Sequence, residues 1–231
     1  MQNDRIPATV PTRFFDVIMA LFVAVLLISN IASSKILVLW KFTFDGGTLL
    51  FPLSYIFGDI LTEVYGYRRS RKVIWTGFFA ALLMSLTLWI VQILPPAADW
   101  PNQQAYESLI GFIPRIVIAS LMAYFAGEFT NSSILSKLKV RMEGKKLWIR
   151  TIGSTLVGEG IDTILFCTIA FYGVLPFNLL VSVVLSNYIF KCGIEILFTP
   201  VTYKLVHFLK RKEQVDVYDR GISYNPFTFS D

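Results

Sequence analysis

Charge is scarce in this sequence: 16% of its 231 residues are Asp, Glu, Lys or Arg, where a soluble domain carries about 25%. Histidine is nearly absent, with His207 alone near the end of the last apolar run. A single histidine there cannot build a buried Ser-His pair, and no H-E-x-x-H occurs, which removes two hydrolase classes. G-x-x-x-x-G-K-[ST] is missing as well, so the chain does not hydrolyse nucleotide itself. Cys167 and Cys192, the two cysteines, lie inside apolar runs without metal-ligand spacing and read as buried hydrophobes. No cofactor is implied.

What is abundant is apolar surface: 55% of residues are hydrophobic and 15% aromatic, with a mean hydropathy of +0.59. The apolar residues come in runs near bilayer-spanning length, which favours one membrane domain over soluble cores. The expected fold is all-α, with six transmembrane spans at about 14–37, 49–65, 73–94, 109–135, 147–172 and 177–208, and a polar tail over 210–231. The first span is too long, and too polar at Asn30, Ser33, Ser34 and Lys35, for a cleaved signal peptide. Asp45-Gly46-Gly47 suggests a tight turn or small hairpin between the first two spans. A net charge of +5 does not imply nucleic acid, because the bases cluster at the flanks of apolar runs. With the N-terminus inside, seventeen Lys and Arg fall on the cytoplasmic side against Lys41 outside. Both termini are therefore expected in the cytoplasm.

Nine charges nevertheless fall within the spans: Asp59, Glu63, Glu128, Glu159, Asp162, Glu195, Lys35, Arg115 and Lys191. Each costs about 2.5–3.5 kcal/mol near a helix centre, so they must face the bundle interior, pair, or line a wet cavity. Lys191 and Glu195 stand four apart on one helix and can pair; Lys35 can snorkel to the outer surface. Six acids against three bases still leave three acids that are protonated or bonded to something outside the chain. Asp59 with Glu63, Glu128 with Asn131, Glu159 with Asp162, and Asn187 with Lys191 and Glu195 each share a helical face. Asn30, Ser33 and Ser34 do the same in the first span. Five polar stripes can surround one chamber, and the third span, which has none, reads as scaffold. Glycines beside the acids (Gly58, Gly127, Gly158, Gly160) would permit close helix approach.

Counted at about 1.5 Å per residue, Glu159, Asp162 and Asn187 fall near the bilayer midplane, where carriers hold their substrate. The expected site comprises those three with Asn30, Asp59, Glu63, Glu128, Lys191 and Glu195. The spacing predicts a carrier for a small polar solute. An intramembrane enzyme using one acid pair is the alternative, but it leaves the other stripes unexplained. Ala20-x-x-x-Ala24 presents a small-residue face for docking another helix, from a second copy or a separate ATPase module.

The stretch from Phe51 to Arg71, FPLSYIFGDILTEVYGYRRSR, resembles the signature of the queuosine precursor transporter family, also described as vitamin uptake transporters. Similarity continues through Asn30–Lys35, Gly127-Glu128, Gly158–Thr163, Lys191–Glu195 and Val217–Phe227. The resemblance implies a bacterial inner-membrane protein importing 7-cyano-7-deazaguanine, 7-aminomethyl-7-deazaguanine or both. It also implies six helices arranged like the substrate-binding subunits of energy-coupling-factor transporters. A guanine-like edge would suit a carboxylate acceptor, Asn187 or Asn30 could read its carbonyl, and Tyr188, Phe190 or Tyr55 could stack on the ring.

Overall fold

The structure, a computed structural model, describes residues 12–39, 42–110 and 113–228. Arg5 and Lys41, which enter the charge count, lie outside them. Helices dominate: α1 (Phe15–Ala32), α2 (Phe51–Tyr65), α3 (Tyr67–Ile93), α4 (Gln103–Ile110), α5 (Ile113–Arg141), α6 (Leu147–Phe171) and α7 (Phe177–Glu213). Between α1 and α2 stand an antiparallel hairpin, β1 (Ile36–Leu39) with β2 (Phe42–Asp45), and a 3-10 turn, Gly46–Leu49.

The bundle is polar within and apolar without, as a lipid solvent requires. Leu83, Leu86, Trp89 and Ile93 on α3, and Leu185, Ile189 and Leu197 on α7, face outward, while Asp59, Glu128, Asn131, Glu159 and Glu195 are at most 1% exposed. Among the described residues, α1, α3, α4 with α5, α6 and α7 are long and apolar enough to cross a membrane. The chain is an all-α membrane bundle, and α3 indeed presents a broad apolar face to the outside.

The second expected span, 49–65, falls on α2. Its helix has only 15 residues, about 22 Å, short of a hydrocarbon core of about 30 Å. The first helix stops at Ala32, so Lys35 lies past its end and is exposed. The chain then turns through the hairpin and the 3-10 turn before α2 begins with Pro52 in its first turn. Residues 33–65 thus form a broken element, and twelve of the fifteen residues of α2 are buried. A hairpin does form, but Asp45 ends its second strand and Gly46-Gly47 follow, so the three are not its turn. Gly46 and Gly47 are pressed onto the last turn of α1: side chains there would collide with the Ala32 carbonyl and with the Ser33 hydroxyl.

The two ends of the bundle differ. At one, the hairpin, Arg115 and the α6–α7 turn meet; Arg115 donates to the carbonyls of Ile169 (2.7 Å) and Tyr172 (2.5 Å), a cation at the C-terminus of α6. At the other, the backbone N–H of Phe14 donates to Glu213 at 2.6 Å, so α1 begins where α7 finishes. The expected tail begins within α7, whose helix runs to Glu213. Residues 214–228 then fold back over α2, α3 and α5. Asp219 accepts from the Tyr67 backbone (2.8 Å) and from Ser136 (2.6 Å), while the Tyr67 hydroxyl and the Trp75 indole donate to the carbonyls of Tyr224 and Pro226. Burial holds the Asp219 and Tyr224 side chains above their usual proton affinities.

Glycine permits the closest helix contact, between α5 and α6. A methyl on Gly127 would lie 2.8 Å from the Asp162 Cβ, and one on Gly158 would lie 2.8 Å from the Asn131 Cβ. Gly58 makes similar room for the Glu128 carboxyl. Gly158→Val should cost about 1–3 kcal/mol by overpacking. The expected readout is a lower melting temperature in detergent, against an unchanged one for Gly193→Ala, where a methyl meets nothing.

Candidate functional site

The nine expected site residues separate into three groups along the bundle axis. The first surrounds a chamber at the hairpin side. Lys191 on α7 reaches α6, donating to Asp162 at 2.8 Å and lying 3.1 Å from Glu159. Its ammonium also sits 4.3 Å from the centre of the Phe51 ring. The Lys191–Glu195 pairing that the spacing allows does not form. The order Lys-then-Glu along a helix is the weaker one, and α6 supplies two carboxylates directly opposite.

Across the chamber stands Asp45, which the sequence reading took for a turn residue. One oxygen accepts from Ser33 (2.7 Å) and the Gly47 backbone (2.9 Å), the other from Thr48 (2.9 Å) and Asn187 (3.5 Å). It caps the 3-10 turn and is 5% exposed. Asn187 also lies 3.7 Å from the thiol of Cys167, a buried free cysteine. Asn30 accepts from Ser120 at 2.5 Å. Phe51 and Phe166 complete the lining.

This chamber is about 20 Å³, room for one water. Ser33 joins its lining to that of a larger cavity of about 330 Å³ at the hairpin end, walled by Phe44, Arg115, Phe171 and Leu179. Phe44 stacks on Phe190 (centroids 5.0 Å apart). Phe190 is thus engaged with the hairpin, and Tyr188 donates to the Leu156 carbonyl. Asp162 lies nine residues from the end of α6 and Asn187 ten from the start of α7. Those counts put the chamber roughly 13–15 Å in from the hairpin end, about half of a bilayer core.

The second group, Asp59, Glu128 and Glu195, contains no base; its one hydrogen bond with a described partner is from Asn131 to Asp59, at 2.8 Å. The third is built on Glu63 at the tail end. Its carboxylate takes both terminal nitrogens of Arg150, together with Lys210 at 2.6 Å and Lys139 at 3.7 Å. Lys139 and Lys210 continue to Asp216 at 2.5 and 2.9 Å. Burial pushes the Asp216 carboxyl up, but those two ammonium groups outweigh it and hold it below the usual value of 3.8. This network ties α2, α5, α6, α7 and the tail together.

The expected site left out several residues that line the chamber, among them Ser33, Asp45, Thr48, Phe51, Ser120 and Phe166. The signal for Asp45 was an acid in a Gly-Gly segment set among apolar residues, just ahead of a Pro-initiated helix.

The chamber offers acceptors on two carboxylates, donors on an ammonium and an amide, and two flat apolar rings. A helical bundle that encloses such a site in its membrane-buried core is that of a solute transporter. Residues 45–205 match the profile of the family described as "Putative vitamin uptake transporter", and the chain belongs to that family. It is similar to the "Probable queuosine precursor transporter" of Bacillus subtilis, 28% identical over 176 residues, covering 76% of this chain and 77% of that protein. The Haemophilus influenzae protein of the same description is 30% identical over 181 residues, 75% of this chain and 73% of that one. The "Queuosine precursor transporter" of Escherichia coli is 27% identical over 155 residues, 66% and 67%. These relatives are bacterial transporters, not enzymes. No solved structure matches the chain.

Proposed function

We propose that this protein imports queuosine precursors, 7-cyano-7-deazaguanine and 7-aminomethyl-7-deazaguanine, across the bacterial inner membrane, holding them in the chamber of Asp45, Asp162, Asn187 and Lys191. One observation carries the reading: two buried carboxylates, Asp45 and Asp162, line a site that also contains an amide, an ammonium and two phenyl rings. A 7-deazaguanine presents neighbouring N–H donors on one edge, which one carboxylate accepts together. Its ring carbonyl takes a donor from Asn187 or Asn30, and its face lies on Phe51 or Phe166. Glu159 keeps Lys191 neutralised when the substrate takes Asp162.

The hairpin end faces outside and the tail end the cytoplasm, in line with the distribution of bases. The broken element of hairpin, 3-10 turn and α2 makes the return crossing, giving six passes with both termini inside. A chamber of water size admits a bicyclic ring only when the hairpin and 3-10 turn move off α7, opening the way through the larger cavity. Ala20 and Ala24 face outward on α1 and remain available to a second copy or an ATPase module.

Proteoliposomes containing only this protein test the proposal. Labelled 7-cyano-7-deazaguanine is expected inside, chemically intact, with uptake competed by unlabelled 7-aminomethyl-7-deazaguanine. A modified product, or uptake no faster than in empty liposomes, overturns it; competition by an unrelated vitamin alone redirects it to another solute.

A further inference from the structure

The second group of acids has no part in the chamber, yet it is the most unusual chemistry in the molecule. Asp59 (α2), Glu128 (α5) and Glu195 (α7) are each at most 1% exposed. Five of their six carboxyl oxygens have no hydrogen-bond partner among the described residues, and no Lys or Arg there pairs with them. Tyr55 is 1% exposed and its hydroxyl has no acceptor among the described residues; its charged neighbours are Asp162, Glu159 and Glu128. The Thr155 hydroxyl and the Asn131 amide oxygen are buried and unpartnered too. A charged carboxylate in apolar surroundings costs far more than a neutral one, so three such groups without bases need neutralising by a bound species. A proton is the species that needs no cavity. No three carboxylates among the described residues are placed to share a metal ion.

Position gives the cluster a role. Along α2, Asp59 stands two turns from Phe51 at the chamber and one turn from Glu63 at the tail-end network. Glu195 stands one turn beyond Lys191. Among the described residues, the charged or titratable groups that face the cluster are Tyr55 and Glu63 on α2, Tyr124 on α5, Glu159 and Asp162 on α6, and Cys192 on α7. Glu159 is the link, since it shares Lys191 with Asp162 and is also an electrostatic neighbour of Glu195 and Glu128.

We propose that Asp59, Glu128 and Glu195 form a proton-binding site coupled through Glu159 and Lys191 to the substrate chamber, so that import is driven by a proton gradient. The proposal rests on the chamber being the substrate site. When a substrate takes Asp162, Lys191 shifts toward Glu159 and away from sharing, which changes the field at Glu128 and Glu195. Proton occupancy and substrate occupancy then depend on each other reciprocally. No bond of the substrate changes; a proton binds one carboxyl oxygen from the hairpin side and leaves toward the tail side.

Proteoliposomes with the membrane potential clamped at zero give the test. Two measurements are made: exchange of labelled 7-cyano-7-deazaguanine without any gradient, and its accumulation with the interior alkaline. Accumulation of about tenfold per pH unit is expected for one proton per substrate, one pH unit being worth about 1.4 kcal/mol. Glu195→Gln and Glu128→Gln are expected to retain exchange and lose accumulation. Exchange without pH-driven accumulation in the unmodified protein, or accumulation driven only by sodium, overturns the proton site and leaves the transport proposal standing. Loss of exchange in the unmodified protein overturns the transport proposal itself. Should the variants fail to fold, the unmodified protein in weakly buffered detergent still decides. Adding 7-cyano-7-deazaguanine is expected to change the proton count, seen with an indicator dye, and an unchanged pH rejects the coupling.

Discussion

Asp162→Asn is expected to abolish uptake of labelled 7-cyano-7-deazaguanine while the protein still reaches the membrane in normal amount. Asp162 faces the chamber and is held by Lys191. Removing its charge replaces two charge-assisted hydrogen bonds to the substrate by one neutral bond and a clash of N–H donors. Such bonds are worth about 1.5–3 kcal/mol each, so the loss in affinity is on the order of 100-fold or more. Folding should survive, because Lys191 keeps Glu159 as a counter-charge. Glu159→Gln is the mirror case for stability: Lys191 keeps Asp162. The double variant leaves the ammonium buried with no carboxylate beside it on α6, and its yield should collapse. Normal accumulation by Asp162→Asn would remove it from the site, and Asp45 would then be the carboxylate to change.

The second large effect is structural. Glu63→Gln should cost about 3–5 kcal/mol, the range for stripping one partner from a buried ion network. Arg150 is 1% exposed and would be left with the carbonyls of Lys145 and Gly144. Lys139 would keep Asp216 and the carbonyls of Glu63 and Val217. The expected readouts are a lower melting temperature in detergent and less folded protein on size exclusion. Glu63→Leu with Arg150→Leu should recover part of that loss, since deleting both partners removes the stranded charge. A Glu63→Gln protein as stable as the original but inactive in uptake would place Glu63 on the substrate path and not in the frame.

Both expectations depend on a partition that spacing alone does not reveal. Asp59, Glu63, Glu128, Glu159, Asp162 and Glu195 stand out in the sequence for one reason: an acid inside an apolar run is expensive unless the fold encloses it. That argument predicts burial, and all six are buried. It is blind to company. Glu63 meets Arg150, 87 residues on, and Asp162 meets Lys191, 29 residues on. Glu195 meets no base among the described residues, although Lys191 stands one turn away.

The sequence by itself determined that this chain is a helical membrane bundle, where α6 and α7 begin and where α6 ends, and that its polar stripes turn inward. Those properties follow from hydropathy and helical period, which act over a few turns of one segment. Only the tertiary structure decided that a hairpin and a 3-10 turn lead into the short helix α2. Residue counting cannot tell a continuous apolar helix from a broken element whose backbone polar groups are satisfied by its neighbours. It also decided that Asp45 belongs to the chamber. That aspartate reads as a turn residue until Ser33 and Asn187, 12 and 142 residues away, close around its carboxylate.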